Sequence, residues 1–330
     1  MHKPHPTAVE METMSTDNTN ALQIHIHQAG ITALGTTDHA FIELNLVDNS
    51  AEAARTAVTA LADAINLPTT VGANVVVGVR PSLWAQVANP NNVPEGVHDF
   101  DSPIRGEDGY QMPATQKDAW IWVASASRSQ TFNVAQHITK QLADNWKLSS
   151  ETTGWVYEFN RDLTGFEDGT ENPGALEAPG IVAIPNGQPG AGSSVLLYQL
   201  WNHRANNWYD LSTEEQEDII GRTKADSVEL DDETKPDSSH VARTVVEVDG
   251  EELDVYRRNC AYGDVRRHGT AFVGFSFDQW RLEEMLRQMA GVNGPRDMLT
   301  RFTDAISGAW YVCPSTQALA SMLPEDEEED

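Results

Sequence analysis

Cysteine, positive charge and long apolar runs are all scarce in this chain. Its 330 residues include two cysteines, Cys260 and Cys313, too few for a disulfide framework. Lys and Arg number 22 against 50 Asp and Glu, a formal charge of −28. That balance argues against nucleic acid or an anionic membrane surface as partner, since both are polyanions. No stretch approaches the ~18–20 consecutive apolar residues of a membrane span. Met1-His2-Lys3-Pro4-His5-Pro6 is not followed by the apolar run of a secretory signal. The expectation is a soluble, cytoplasmic protein.

What is present suffices for two ordinary domains: 40% of residues are hydrophobic and 22% charged. Residues 1–20 are polar and aperiodic and read as a disordered extension, and 324–330 read as a solvated acidic tail. Between them the elements alternate. Residues 40–47, 71–79 and 119–123 have strand character; 51–65 and 133–146 have helical periodicity; 154–159 reads as a closing strand. This β-α-β…β-α-β order predicts a ferredoxin-like unit over 21–160. A second such unit is expected over 161–323, after the Gly/Pro-rich stretch 161–192. Its strands are 194–201 and 270–277, its helices 213–220 and a segment capped by Asp278 that runs to about Ala290. Residues 240–248 and 253–257 flank Asp249-Gly250 and read as a hairpin. The fold class is thus α+β, with helices packed on antiparallel sheets.

The densest chemical signal is Gly165-Phe166-Glu167-Asp168-Gly169-Thr170-Glu171-Asn172-Pro173. Asp-Gly and Asn-Pro are ordinary turn punctuation. Asn160, Asp162, Thr164, Gly165, Asp168 and Glu171 also fall at the positions of a calcium loop. Against calcium, Asn opens the loop where Asp is usual, and a strand rather than a helix precedes it. The third reading is a catalytic G-x-x-D-G loop. The run resembles the signature of the dye-decolorising peroxidases, particularly their bacterial B-type branch. Ser239-His240-Val241-Ala242-Arg243 resembles the segment carrying that family's proximal haem ligand, and Tyr256-Arg257-Arg258-Asn259-Cys260-Ala261-Tyr262-Gly263 the strand bearing its distal arginine. The similarity continues through Arg296-Asp297 and Arg301-Phe302-Thr303 to Gly308. Ala261 departs from the pattern, since Pro commonly precedes the Tyr-Gly pair.

The resemblance implies a haem peroxidase that reduces hydrogen peroxide and oxidises dyes or small aromatic donors in one-electron steps through a ferryl intermediate. A haem-handling protein with little turnover is the alternative; it would need His240 but neither Asp168 nor Arg257. The cofactor implied is heme b, non-covalent because no C-x-x-C-H is present. His240 is the expected iron ligand, with Asp297 either the carboxylate on its other ring nitrogen or a helix cap after Gly294-Pro295. Asp168 is the expected proton shuttle and Arg257 the charge stabiliser. Counting back from Tyr262-Gly263 selects Arg257 over Arg258 and places Asn259 on the same strand face. The cation beside Asp168 is expected to keep its pKa low. Gln199, His203, Arg204 and Arg222 lie in segments resembling the family's haem surround, and a homo-oligomer is expected.

Overall fold

A computed structural model describes residues 24–324. The expected extension over 1–20 and the acidic run after Pro324 lie outside them.

The first half is β1 (Asp38–Leu46), α1 (Ala51–Ala64), β2 (Ala73–Val79), β3 (Ala119–Ser125), α2 (Arg128–Leu142) and β4 (Trp146–Trp155). Strand period two sorts the side chains of β1 and β3. Ala40, Ile42, Leu44, Ile121 and Val123 face a core shared with Val58 and Leu61 of α1 and Ile138 of α2. Phe41, Trp120 and Trp122 face the other way, into a second core. Ser50 caps α1 by accepting from Ala53 N, which satisfies one of the helix's first free N–H groups.

The second half is β5 (Ser194–His203), α3 (Thr213–Ile220), α4 (His240–Thr244), β6 (Tyr256–Arg257), β7 (Cys260–Gly263), β8 (His268–Ser276), α5 (Gln279–Met289), β9 (Thr303–Ala305) and β10 (Ala309–Cys313). Spatially the first half runs β4-β1-β3-β2 and the second β7-β8-β5-β10, all antiparallel. Both are the 4-1-3-2 order of a ferredoxin-like unit, so the α+β expectation holds. The two sheets are also joined edge to edge. β4 pairs β7 at Trp155–Ala261 and Gly154–Tyr262, and β2 pairs β10 at Val79–Val312, which closes the strands into a ring. Its interior holds Phe41, Trp120, Trp122, Tyr198, Phe275 and Tyr311. On the outer face of the second half, Leu282, Met285, Leu286 and Met289 of α5 pack against Val195, Leu197 and Trp201 of β5.

Three local expectations are corrected. The second helix occupies Arg128–Leu142, and Trp146, expected at its end, opens β4. The strand Lys147–Thr153 was invisible because it is polar and half exposed, with no alternating apolar face. Its expected continuation to Phe159 is broken by a tight turn in which Glu158, Phe159 and Asn160 all have positive φ. The segment after His240 starts as helix, because the Ser239 hydroxyl accepts from Ala242 N and outweighs the β-branched composition. Only Glu247–Val248 and Glu251–Glu252 form the hairpin around Asp249-Gly250.

Gly154 is where ring closure is tightest. A Cβ there would lie 2.8 Å from the Ala261 carbonyl oxygen and would overlap the Cys260 sulfur. Gly154→Val should therefore overpack the seam and lower stability by ~1–3 kcal/mol. Calorimetry reads this as a lower Tm; an unchanged Tm means the seam yields and closure is not under steric control.

Candidate functional site

An open cavity lies against the outer face of the second half. Its lining comes from the loop 162–171, from outward residues of β5 and β8, and from α4 and α5. Phe272, Met285, Leu286, Met289 and Leu299 give it apolar walls, while Asp168, Gln199, His240, Arg257 and Asn259 supply polar atoms.

His240 stands at the first position of α4. Its Nδ1 is 2.7 Å from Asp297 Oδ2, and the Asp297 side chain has no exposed surface. Asp297 is fixed in turn, since its Oδ1 accepts from Leu299 N at 2.8 Å, capping the short helix Met298–Arg301. A buried carboxylate against one ring nitrogen orients the imidazole, leaving the other nitrogen for a ligand.

Asp168, Asn259 and Arg257 form the second group. Asn259 Nδ2 donates to Asp168 Oδ1 at 3.2 Å, and Asn259 Oδ1 accepts from Val273 N at 3.0 Å. Strand alternation puts Arg257 and Asn259 on the cavity side, while Tyr256 and Cys260 join the ring interior. Arg258 points inward as well, donating to the Ile31 carbonyl and to Thr36. Asn172 clamps the strand: its Nδ2 donates to Arg257 O at 2.8 Å, and its Oδ1 accepts from Arg257 N at 2.9 Å. The expected low pKa of Asp168 is corrected. Burial pushes its carboxyl above the ordinary carboxylate value, although Arg257 opposes that shift.

The remaining expected residues divide. Gln199 is fully buried in the cavity wall, and neither amide atom has a hydrogen-bond partner. His203 also lines the cavity, with Nε2 3.0 Å from Thr270 Oγ1, whose hydroxyl donates to Asp162; burial holds this imidazole below its ordinary pKa. Arg222 lines the cavity, but its guanidinium pairs with Glu171 and Glu229 and donates to Ser227 O. Arg204 is not brought to the cavity; it is half exposed and bonded through Nε and Nη2 to both oxygens of Asp304. The calcium reading finds no support in the loop geometry. Among the described residues no three His, Cys, Asp or Glu side chains group as metal ligands.

Two contributors were missed in sequence. Asn172 stood inside the signature run, yet nothing there showed that it bonds a strand 85 residues away. Thr270 carries no sequence signal, because it meets Asp162 and His203 only where three separate segments come together. Asn172→Ala should remove both bonds to Arg257 and cost ~1–3 kcal/mol locally. Faster hydrogen exchange of the Arg257 amide checks this; unchanged protection means the ladder alone holds the strand.

Family models describing Dyp-type peroxidase, N-terminal, and Dyp-type peroxidase, C-terminal, match residues 28–156 and 159–318. A dye-decolorizing peroxidase of Rhodococcus erythropolis is 34% identical, over 78% of this chain and 79% of that protein. One from Mycolicibacterium paratuberculosis is 36% identical over 65% of this chain, and that alignment spans 62% of the relative. Among solved structures, a DypB variant of Rhodococcus jostii RHA1 in complex with heme superposes with a TM-score of 0.81 at 30% identity, covering 89% of this chain and 98% of its own. The encapsulated DyP-type peroxidase of Mycobacterium smegmatis gives 0.81 at 28% identity, covering 91% and 99%. With both family models matched in order across most of its length, the chain belongs to the Dyp-type, dye-decolorising peroxidase family.

Proposed function

We propose that this chain uses a b-type haem held by His240 to reduce hydrogen peroxide and to oxidise small aromatic donors in one-electron steps. Membership of the family makes it a haem peroxidase, an oxidoreductase with peroxide as acceptor. What supports the residue assignment is one observation. One cavity is lined both by an imidazole backed by a buried carboxylate and by a half-buried carboxylate–amide–guanidinium group.

The cavity fits the cofactor in two respects. Its walls are apolar, and Gln199 and Arg257 Nε are buried at it without protein partners, as groups awaiting a polar ligand atom would be. His240 would hold the iron through Nε2 while its Nδ1–H donates to Asp297. Gln199 and His203 are the polar groups available to the macrocycle's edge, and Arg222 would have to share its two carboxylates to join them. Arg204 is left out, being committed to Asp304. When bound, haem supplies the redox capacity and the Lewis acidity for peroxide cleavage.

The protein's own residues handle protons and charge. Asp168, as the carboxylate, takes a proton from bound peroxide and returns it to the departing oxygen. Arg257 cannot serve that way, since its guanidinium stays charged; it stabilises negative charge developing on the peroxide. Asn259 holds Asp168 Oδ1 toward the same space.

His240→Ala should abolish the histidine-ligated haem spectrum, and an unchanged visible spectrum would move the ligand elsewhere. The peroxide step, followed by stopped flow in the haem-loaded protein, should fall as pH drops through the raised Asp168 pKa, because protonation removes the base. Asp168→Asn should erase that acid limb. Arg257→Leu should slow the step ~10²–10³-fold and move the limb to higher pH, since loss of a neighbouring cation favours the protonated acid. A wild-type rate in Arg257→Leu would sink the role given to the guanidinium.

A further inference from the structure

Inside the strand ring lies an indole–imidazole pair that the peroxide chemistry does not use. Trp122 Nε1 donates to His39 Nδ1 at 3.1 Å, and the two residues are 1% and 3% exposed. Other buried indoles are placed differently. Trp84, Trp146 and Trp208 donate to the backbone carbonyls of Asn92, Ala57 and Thr164, and Trp120 Nε1 has no partner. The distinction is chemical. An indole that loses one electron becomes strongly acidic at its nitrogen, and an imidazole lone pair can accept that proton whereas an amide carbonyl cannot hold it.

We propose that Trp122 and His39 form a proton-coupled site that takes one oxidising equivalent out of the cavity and holds it within the ring. The proposal rests on the peroxidase reading only for its oxidant. In the step, one electron leaves Trp122 for the peroxide-oxidised cofactor, which is reduced by one equivalent. The Nε1–H bond breaks, and its proton forms an N–H bond at His39 Nδ1. A neutral indole radical and an imidazolium remain. An incoming donor electron reverses both transfers.

Position and charge support it. Arg257 and Asn259 face the cavity, while the intervening Arg258 lies on the interior side, its guanidinium 5.1 Å from the Trp122 ring centre. A single strand therefore separates the pair from the groups assigned to peroxide. The Arg258 cation opposes a positive charge on that ring, so oxidation without proton loss is disfavoured. Burial, with Arg258 adding to it, lowers the His39 pKa to about 4, so the resting imidazole keeps a free lone pair at neutral pH. The same weak basicity returns the proton on reduction. Phe41, Phe275 and Trp120, with ring centroids 6.1, 6.3 and 6.3 Å from Trp122, keep water away from the radical.

The test is rapid-freeze electron paramagnetic and electron–nuclear double resonance on haem-loaded protein mixed with one equivalent of hydrogen peroxide. Wild type should give an indole radical lacking N–H proton coupling. Trp122→Phe should lose that signal, and His39→Gln, which offers an amide in place of a base, should give a radical that keeps the coupling. An identical signal in Trp122→Phe, or N–H coupling in wild type, overturns the proposal; the wild-type measurement needs no variant to fold. Ultraviolet photoionisation of the haem-free protein separates the two readings. If peroxide leaves the haem spectrum unchanged, the peroxidase reading fails. Transient absorption must still then show a fast-deprotonating indole component that vanishes in Trp122→Phe, or the Trp122–His39 site is discarded.

Discussion

Two small antiparallel sheets, each with helices on one face, leave two apolar faces that water would otherwise cover. Joining the sheets at β4–β7 and β2–β10 turns both faces inward onto a single aromatic interior. The seams are short, yet they decide where everything else sits, because strand alternation then commits each neighbouring residue to one side or the other. Gly154 marks how closely the sheets approach there, having room for no side chain against Ala261 and Cys260.

The cavity is a consequence of that commitment. With the inner face filled, functional residues of the second half project outward from β5 and β8 under α5. In place of a compact first crossover, this half carries the long segment 204–255, which brings His240 on α4 to the same space. The signature loop arrives from the connection between the halves and is tied down by Asn172 on Arg257. The imidazole and the carboxylate thus reach one cavity from opposite ends of a long stretch of sequence.

Burial sets the electrostatics of both groups. At Asp297 it places a carboxylate out of solvent against Nδ1 of His240, where water does not weaken their attraction. At Asp168 it works against ionisation more strongly than Arg257 favours it, so the carboxyl stands above its ordinary value. The family resemblance implied the cation's proximity, but the desolvation of the carboxyl was not legible there, and desolvation decided the sign.

The sequence alone determined the class of fold and, through the family resemblance, offered His240, Asp168, Arg257, Asn259 and Asp297 as candidates, which the fold brings to or beside one cavity. Strong periodicity and a compact motif are local properties, carried by residues near one another in the chain. Lys147–Thr153 escaped because a polar strand declares itself only through its neighbours, and the helix at His240 because one capping hydroxyl outweighed its β-branched composition. Tertiary structure alone decided that Arg222 and Arg204 are already paired with carboxylates, that Gln199 is buried with its amide open, and that Trp122 meets His39. Those are meetings between distant segments, and they depend on which way each side chain points once the ring has closed.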